Sequence, residues 1–189
     1  MAAGTSSKMC STMARVTVFV IALGVTLQLQ TALPGAQSAT ERLASRIQRI
    51  EDTQEIERLL LNYGRHLDAR NFKAYSLLFA KDGVWSGGMG TVQGPAAIQA
   101  FMEKAIPGPN AVHNYHVLSN FVIDVNGDSA TAWSRWQFVI PGPNNSAVVG
   151  QSGRYDDTLV REDGRWKFKR RVASNDIPGG GPPRDQLTK

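Results

Sequence analysis

An Asn-Gly pair constrains this chain more than any other feature in it. Asn126-Gly127 sits between residues 117–125 and 128–140, two runs rich in β-branched and aromatic side chains. Asn-Gly tolerates the positive φ angles of a type I′ turn, so the two runs read as adjacent antiparallel strands. A two-residue turn at this pair sets His116 opposite Gln137, Asn120 opposite Trp133 and Phe121 opposite Ala132. Strand side chains alternate, so His116, Leu118, Asn120 and Val122 then share one face, and Val117, Ser119, Phe121 and Ile123 the other. A face that mixes apolar residues with an imidazole and an amide suits the wall of a ligand cavity; a satisfied interior histidine leaves the same signature.

Residues 1–38 follow the order of a secretory signal: Lys8 and Arg15, an apolar run over 16–29, then the small residues of Ala36-Gln37-Ser38. Thr17, Gly24, Thr26 and Gln28 interrupt the run, which falls short of the roughly 18 uninterrupted apolar residues of a spanning helix. The expectation is a secreted or periplasmic protein, cleaved near Ser38 and without a membrane partner afterwards; a retained anchor is the alternative. The single cysteine, Cys10, leaves with the signal, which removes disulfides, thiolate catalysis and cysteine-ligated metals from consideration. Cleavage takes two of the 21 basic residues, leaving 19 against 16 acidic ones, a net charge of +3. Only Lys167, Lys169, Arg170 and Arg171 cluster, and no basic stripe interleaves with aromatics, so nucleic acid is not an expected partner.

What remains is one domain, residues 39–176, followed by a Pro/Gly-rich tail, 177–189, that cannot form a core. Residues 40–68 read as a helix, with Leu43, Ile47 and Ile50 and then Ile56, Leu59, Leu60, Tyr63 and Leu67 at three- and four-residue steps. Asp52 and Glu55 have the spacing of a capping box that would restart the helix. A second helix is expected over 72–79, a turn at Lys81-Asp82-Gly83, a short strand at Val84-Trp85, a flexible tip over 87–90 and a third helix over 96–104. After the central hairpin come strands over 147–161 and 165–172, joined at Asp163-Gly164. A two-residue turn there pairs Leu159 with Phe168, Asp157 with Arg170 and Asp156 with Arg171. The fold class is α+β, a strongly curved antiparallel sheet wrapped around three N-terminal helices.

The chain resembles the SnoaL-like group of the nuclear transport factor 2 superfamily, NTF2-like cones that include scytalone dehydratase, bile-acid 7α-dehydratase, hexachlorocyclohexane dehydrochlorinase and polyketide cyclases. The resemblance covers roughly residues 43–173. It rests on Ile56-x-x-Leu59-Leu60-x-x-Tyr63, Leu67-Asp68, Phe79-Ala80-x-Asp82-Gly83-Val84-Trp85, Gly94-Pro95-x-x-Ile98, His116 with Asn120, Tyr155, the run 163–168 and Arg171. One cone serves enzymes, binding modules and assembly subunits, so the likeness speaks to fold more than to function.

The resemblance implies a dyad in which Asp68, ending the first long helix, orients His116 for proton abstraction, with Tyr63 and Arg171 polarising a carbonyl or steadying a leaving hydroxyl. It implies Trp85, Asn120, Trp133 and Phe138 as substrate-contacting residues, a small apolar or ring-containing substrate, no cofactor or metal, and a homo-oligomer, trimeric in some relatives and dimeric in others. His113, Asn114, His116 and Asp68 match no metal-ligand motif. Each residue also has a plainer reading: Asp68 as a cap on the following helix, Tyr63 as core, Arg171 as half of a cross-strand ion pair. Three functions follow for testing: a cofactor-independent lyase or isomerase, a non-catalytic binding protein, and an assembly subunit with the same cone.

Overall fold

The computed structural model describes residues 34–111 and 113–177; the expected signal, except its last residues, and nearly all of the tail lie outside them. In chain order the elements are α1 (Pro34–Asp68), α2 (Phe72–Ser76), β1 (Phe79–Gly87), β2 (Gly90–Gln93), α3 (Pro95–Ala105), β3 (Tyr115–Asn126), β4 (Ser129–Pro141), a short 3₁₀ turn (Pro143–Asn145), β5 (Ala147–Glu162) and β6 (Arg165–Ile177). The strands form one curved, unclosed sheet in the order β2-β1-β6-β5-β4-β3. Neighbours are antiparallel except β1 and β6, which run parallel.

The helix α1 is continuous for 35 residues and does not restart at residue 52. Asp52 and Glu55 are tertiary anchors instead of a capping box. Asp52, buried in the helix flank, accepts from Gln48 Nε2 at 3.0 Å and from the Trp166 indole N–H at 3.3 Å, and pairs with Arg161. Glu55 accepts the Trp166 backbone N–H at 3.0 Å. Two acids that look like a local cap in sequence therefore tie the helix to the final hairpin. Only the second half of the expected apolar stripe is buried. Ile56, Leu60, Tyr63 and Leu67 enter the core, whereas Leu43, Ile47 and Ile50 remain 47–57 % exposed on a helix that is exposed throughout residues 39–51.

The second helix is five residues long, capped by Asn71, whose side chain accepts from the Ala74 N–H at 3.1 Å. The expected tip over 87–90 is a tight β1–β2 hairpin pairing Gly87 with Gly90, and β1 begins earlier than expected, at Phe79.

The central hairpin forms, but in another register. Asn126 pairs with Ser129 and His116 with Phe138. A bulge sets Asn120 and Phe121 of β3 against one residue of β4, and Asn120 takes a left-handed φ of 55°. One extra residue reverses the alternation of faces. Inside the sheet lie His116 and Leu118, then Phe121, Ile123 and Val125; Asn120 and Val122 are exposed. A second bulge, at Lys169 of β6, acts likewise. Leu159 faces Phe168 as expected, but beyond the bulge Asp157 faces Arg171 and Thr158 faces Arg170. This turns Arg171 into the core, where it pairs with Asp157 and not, as expected, with Asp156 across the strands.

Candidate active site

The end of α1 and the start of β3 meet because Gly64 lets them. A Cβ at Gly64 would stand 2.8 Å from Leu118 Cδ1 and 3.9 Å from His116 Cβ. Glycine inside a helix costs about 0.5–1 kcal/mol relative to alanine, so its place here is explained by the close crossing of β3. One turn later the helix ends at Asp68, beside His116. Asn110 fixes the approach of the loop before β3, donating to the Asp68 carbonyl at 3.1 Å and to the Asn114 carbonyl at 2.6 Å.

Asp68 grips His116 with both oxygens. Oδ1 lies 2.6 Å from Nδ1 and Oδ2 accepts the His116 backbone N–H at 2.9 Å. An ionised carboxylate only accepts, so in the neutral imidazole this contact selects the tautomer with the proton on Nδ1 and the lone pair on Nε2. The pair is shielded, with 13 % of the imidazole and 19 % of the carboxylate side chain exposed. Phe138 packs on the imidazole at 4.9 Å between centroids and Trp136 at 6.1 Å.

His116 forms part of the wall of a half-open cavity of about 520 Å³. Leu67, Met102, Ile106, Trp136 and Phe138 give it an apolar lining, and Tyr63, Tyr75, Tyr155 and Trp85 line its interior. The Tyr63 oxygen accepts the Trp85 indole N–H at 3.0 Å, which leaves its own proton to donate. The Tyr75 hydroxyl is buried with no hydrogen-bond partner. Burial raises the hydroxyls of Tyr75 and Tyr155 well above the usual phenol range, so both stay protonated.

Of the residues expected at the site, the structure brings together Asp68, His116, Tyr63, Trp85 and Phe138. It moves three away. The β3 bulge puts Asn120 on the exposed face, and Trp133 lies on that same outer face, beside Val122, Asp124 and Arg170, under the Arg135 guanidinium at 5.3 Å. Arg171 is wholly buried outside the cavity lining, its guanidinium 4.0–4.1 Å from the ring centres of Tyr63, Tyr155 and Phe168. It forms a bidentate pair with Asp157 at 2.8 and 2.7 Å. Burial works against the guanidinium charge, but Asp157 and the surrounding rings more than restore it, and Arg171 stays protonated. Its role is to hold the tyrosines in place from behind. Sequence reasoning missed Arg70 and Tyr75 as lining residues. Tyr75 reads as one member of an apolar stripe, and only the position of Arg70, two residues after Asp68, hints at the site. Among the described residues no group of three His, Cys, Asp or Glu side chains is arranged to hold a metal.

The SnoaL-like domain family model matches residues 48–172. No curated protein sequence matches the chain. Among solved structures, an NTF2-like protein with a cystatin-like fold from Novosphingobium aromaticivorans is 26 % identical, covering 78 % of this chain and 95 % of its own, with a TM-score of 0.66. A candidate scytalone dehydratase from the same organism is 26 % identical over 67 % of this chain and 85 % of its own, with a TM-score of 0.54. ActVI-ORFA from Streptomyces coelicolor, 22 % identical over 66 % and 98 % of the two chains with a TM-score of 0.58, shares the fold.

Proposed function

We propose a function from the premise that this chain belongs to the SnoaL-like domain family: it is a lyase or isomerase of the dehydratase or cyclase type, acting on a small ring-containing carbonyl compound. The observation that carries the reading is the 2.6 Å contact of Asp68 with His116 on the wall of a 520 Å³ apolar cavity. Nε2 takes a proton from the carbon next to the carbonyl, and the negative charge of Asp68 stabilises the imidazolium that forms. The electron pair moves to the carbonyl oxygen as an enolate, to which Tyr63 donates its hydrogen bond. Collapse of the enolate breaks the carbon–oxygen bond of a hydroxyl on the next carbon, which leaves as water with the proton held on Nε2; in an isomerase the same proton returns to a different carbon, and either way the imidazole is neutral again. The dyad supplies this chemistry from side chains alone. The charge and apolar order of residues 1–38 support an exported protein, which fractionation of expressing cells tests.

Exchange of solvent deuterium into 2-tetralone, followed by proton NMR, tests the base. The expected result is exchange with wild type and its loss with His116→Ala. Binding of the ketone without exchange above the buffer rate overturns proton abstraction and leaves a binding protein.

A further inference from the structure

Arg70 stands apart from the other shielded arginines of the described chain. Arg135, Arg154, Arg161 and Arg171 each pair with an aspartate. Arg70, half-buried and lining the same cavity as His116, forms no ion pair with any described carboxylate. Its contacts are neutral: Nη1 donates to the Leu67 carbonyl at 3.0 Å, and Nη2 lies 3.5 Å from Asn114 Oδ1. Asp68, two residues away, is already engaged twice by His116. A guanidinium has five N–H donors, so at least three remain without a partner here.

The backbone adds a second observation. Arg70 follows the end of α1 with φ of 56°, the left-handed position that favours glycine. A residue with a side chain is strained there. The strained conformation holds a cation beside the dyad, and strain of this kind clusters where a ligand is held. The third observation is the unpartnered, buried Tyr75 hydroxyl in the same cavity, a neutral donor without an acceptor. One cation, one orphan hydroxyl and an apolar lining are complementary to a ring system that carries an acid at one point and an uncharged oxygen at another.

We infer that Arg70 is the anion anchor of this site and that its ligand is a ring-bearing carboxylate, with the acid group on the Arg70 guanidinium and the ring among Trp136, Phe138 and Met102. The inference rests on the proposed substrate site but not on turnover. A bidentate pair with carboxylate fits the planar guanidinium fork, and burial beside apolar rings strengthens it.

Calorimetric titration with 2-naphthoate and its uncharged counterpart 2-naphthamide tests it, at about pH 8 and low salt. Wild type is expected to prefer the acid by roughly tenfold or more. Arg70→Gln should erase the preference and Arg70→Lys should keep part of it. Rising salt should weaken binding of the acid and not of the amide in wild type, a readout that needs no variant to fold. Equal affinity for acid and amide, no binding of either at millimolar concentration, or a preference that survives Arg70→Gln overturns the inference. A preserved preference in a protein that exchanges no deuterium leaves the anion anchor standing and removes the lyase.

Discussion

Asp68 holds His116 at two points, side chain to side chain at 2.6 Å and side chain to backbone at 2.9 Å. The second contact fixes where the strand begins, and the first fixes which nitrogen bears the proton. The two functions separate in Asp68→Asn, which keeps an oxygen for the backbone N–H and loses the charge. Proton-exchange turnover is expected to fall by about two to four orders of magnitude, with the thermal midpoint little changed. A variant that unfolds instead would mark the contact as structural.

The bulge at Asn120 and Phe121 changes the sequence parity of β3 without changing its phase against β4: Ser119 faces Arg135 before it and Val122 faces Trp133 after it. Deleting Asn120 leaves Phe121 alone opposite Ser134 and residues 115–119 on their present faces, so His116 stays inward. Exchange activity and the hydrogen-bonded imidazole N–H proton resonance are expected to persist, and their loss would show that the bulge itself shapes the site. Asn120→Val keeps the residue count but places a β-branched side chain at φ of 55°, at an expected cost of about 1–2 kcal/mol in urea denaturation.

The Arg171–Asp157 pair is closed to solvent on both sides. Asp157→Asn strands a guanidinium among three aromatic rings, and a destabilisation of about 3–5 kcal/mol is expected by chemical denaturation. The double variant Asp157→Leu with Arg171→Met should recover a large part of that loss. Recovery would assign the pair to structural specificity in place of net stability.

Acid sensitivity should trace in part to Asp52. Burial pushes its carboxyl up, but hydrogen bonds from Arg161, Gln48 and Trp166 outweigh this and bring it below its ordinary value of 3.8. A carboxylate depressed on folding contributes stability that is complete above the unfolded value and is lost as pH falls through the folded one. Asp52→Asn should therefore be less stable than wild type at neutral pH, and the difference should narrow below about pH 4. Denaturation midpoints across that range check it.

The features legible in sequence were those written in local chemistry. The presence of a hairpin at Gly127, though not its register, the stripe from Ile56 to Leu67 and the Leu159–Phe168 pairing all depend on near neighbours along the chain. The dyad was legible because Asp68 ends a helix and His116 opens a strand at positions that matched the family pattern. What escaped was set by partners far away or by backbone angles. Asp52 and Glu55 have cap spacing, and only Arg161 and Trp166, more than 100 residues on, reveal their use. Both bulges are backbone events without a residue signature, yet they moved Asn120 out of the site and Arg171 beneath it. Gly64 carried an unread signal, because a glycine inside so apolar a helical stripe argues for a close approach.

The parallel junction of β1 with β6 also has a temporal side. Phe79 pairs with Phe168, roughly 90 residues later, so the strand that follows the dyad helix has β2 as its sole partner in the sheet until the final strand is made. Distant pairings of this kind are slow to close. During synthesis the Trp85 wall of the cavity waits for the last strand, and a ribosome that stops before residue 168 releases a chain whose β1–β2 hairpin has not joined the β3–β4–β5 strands.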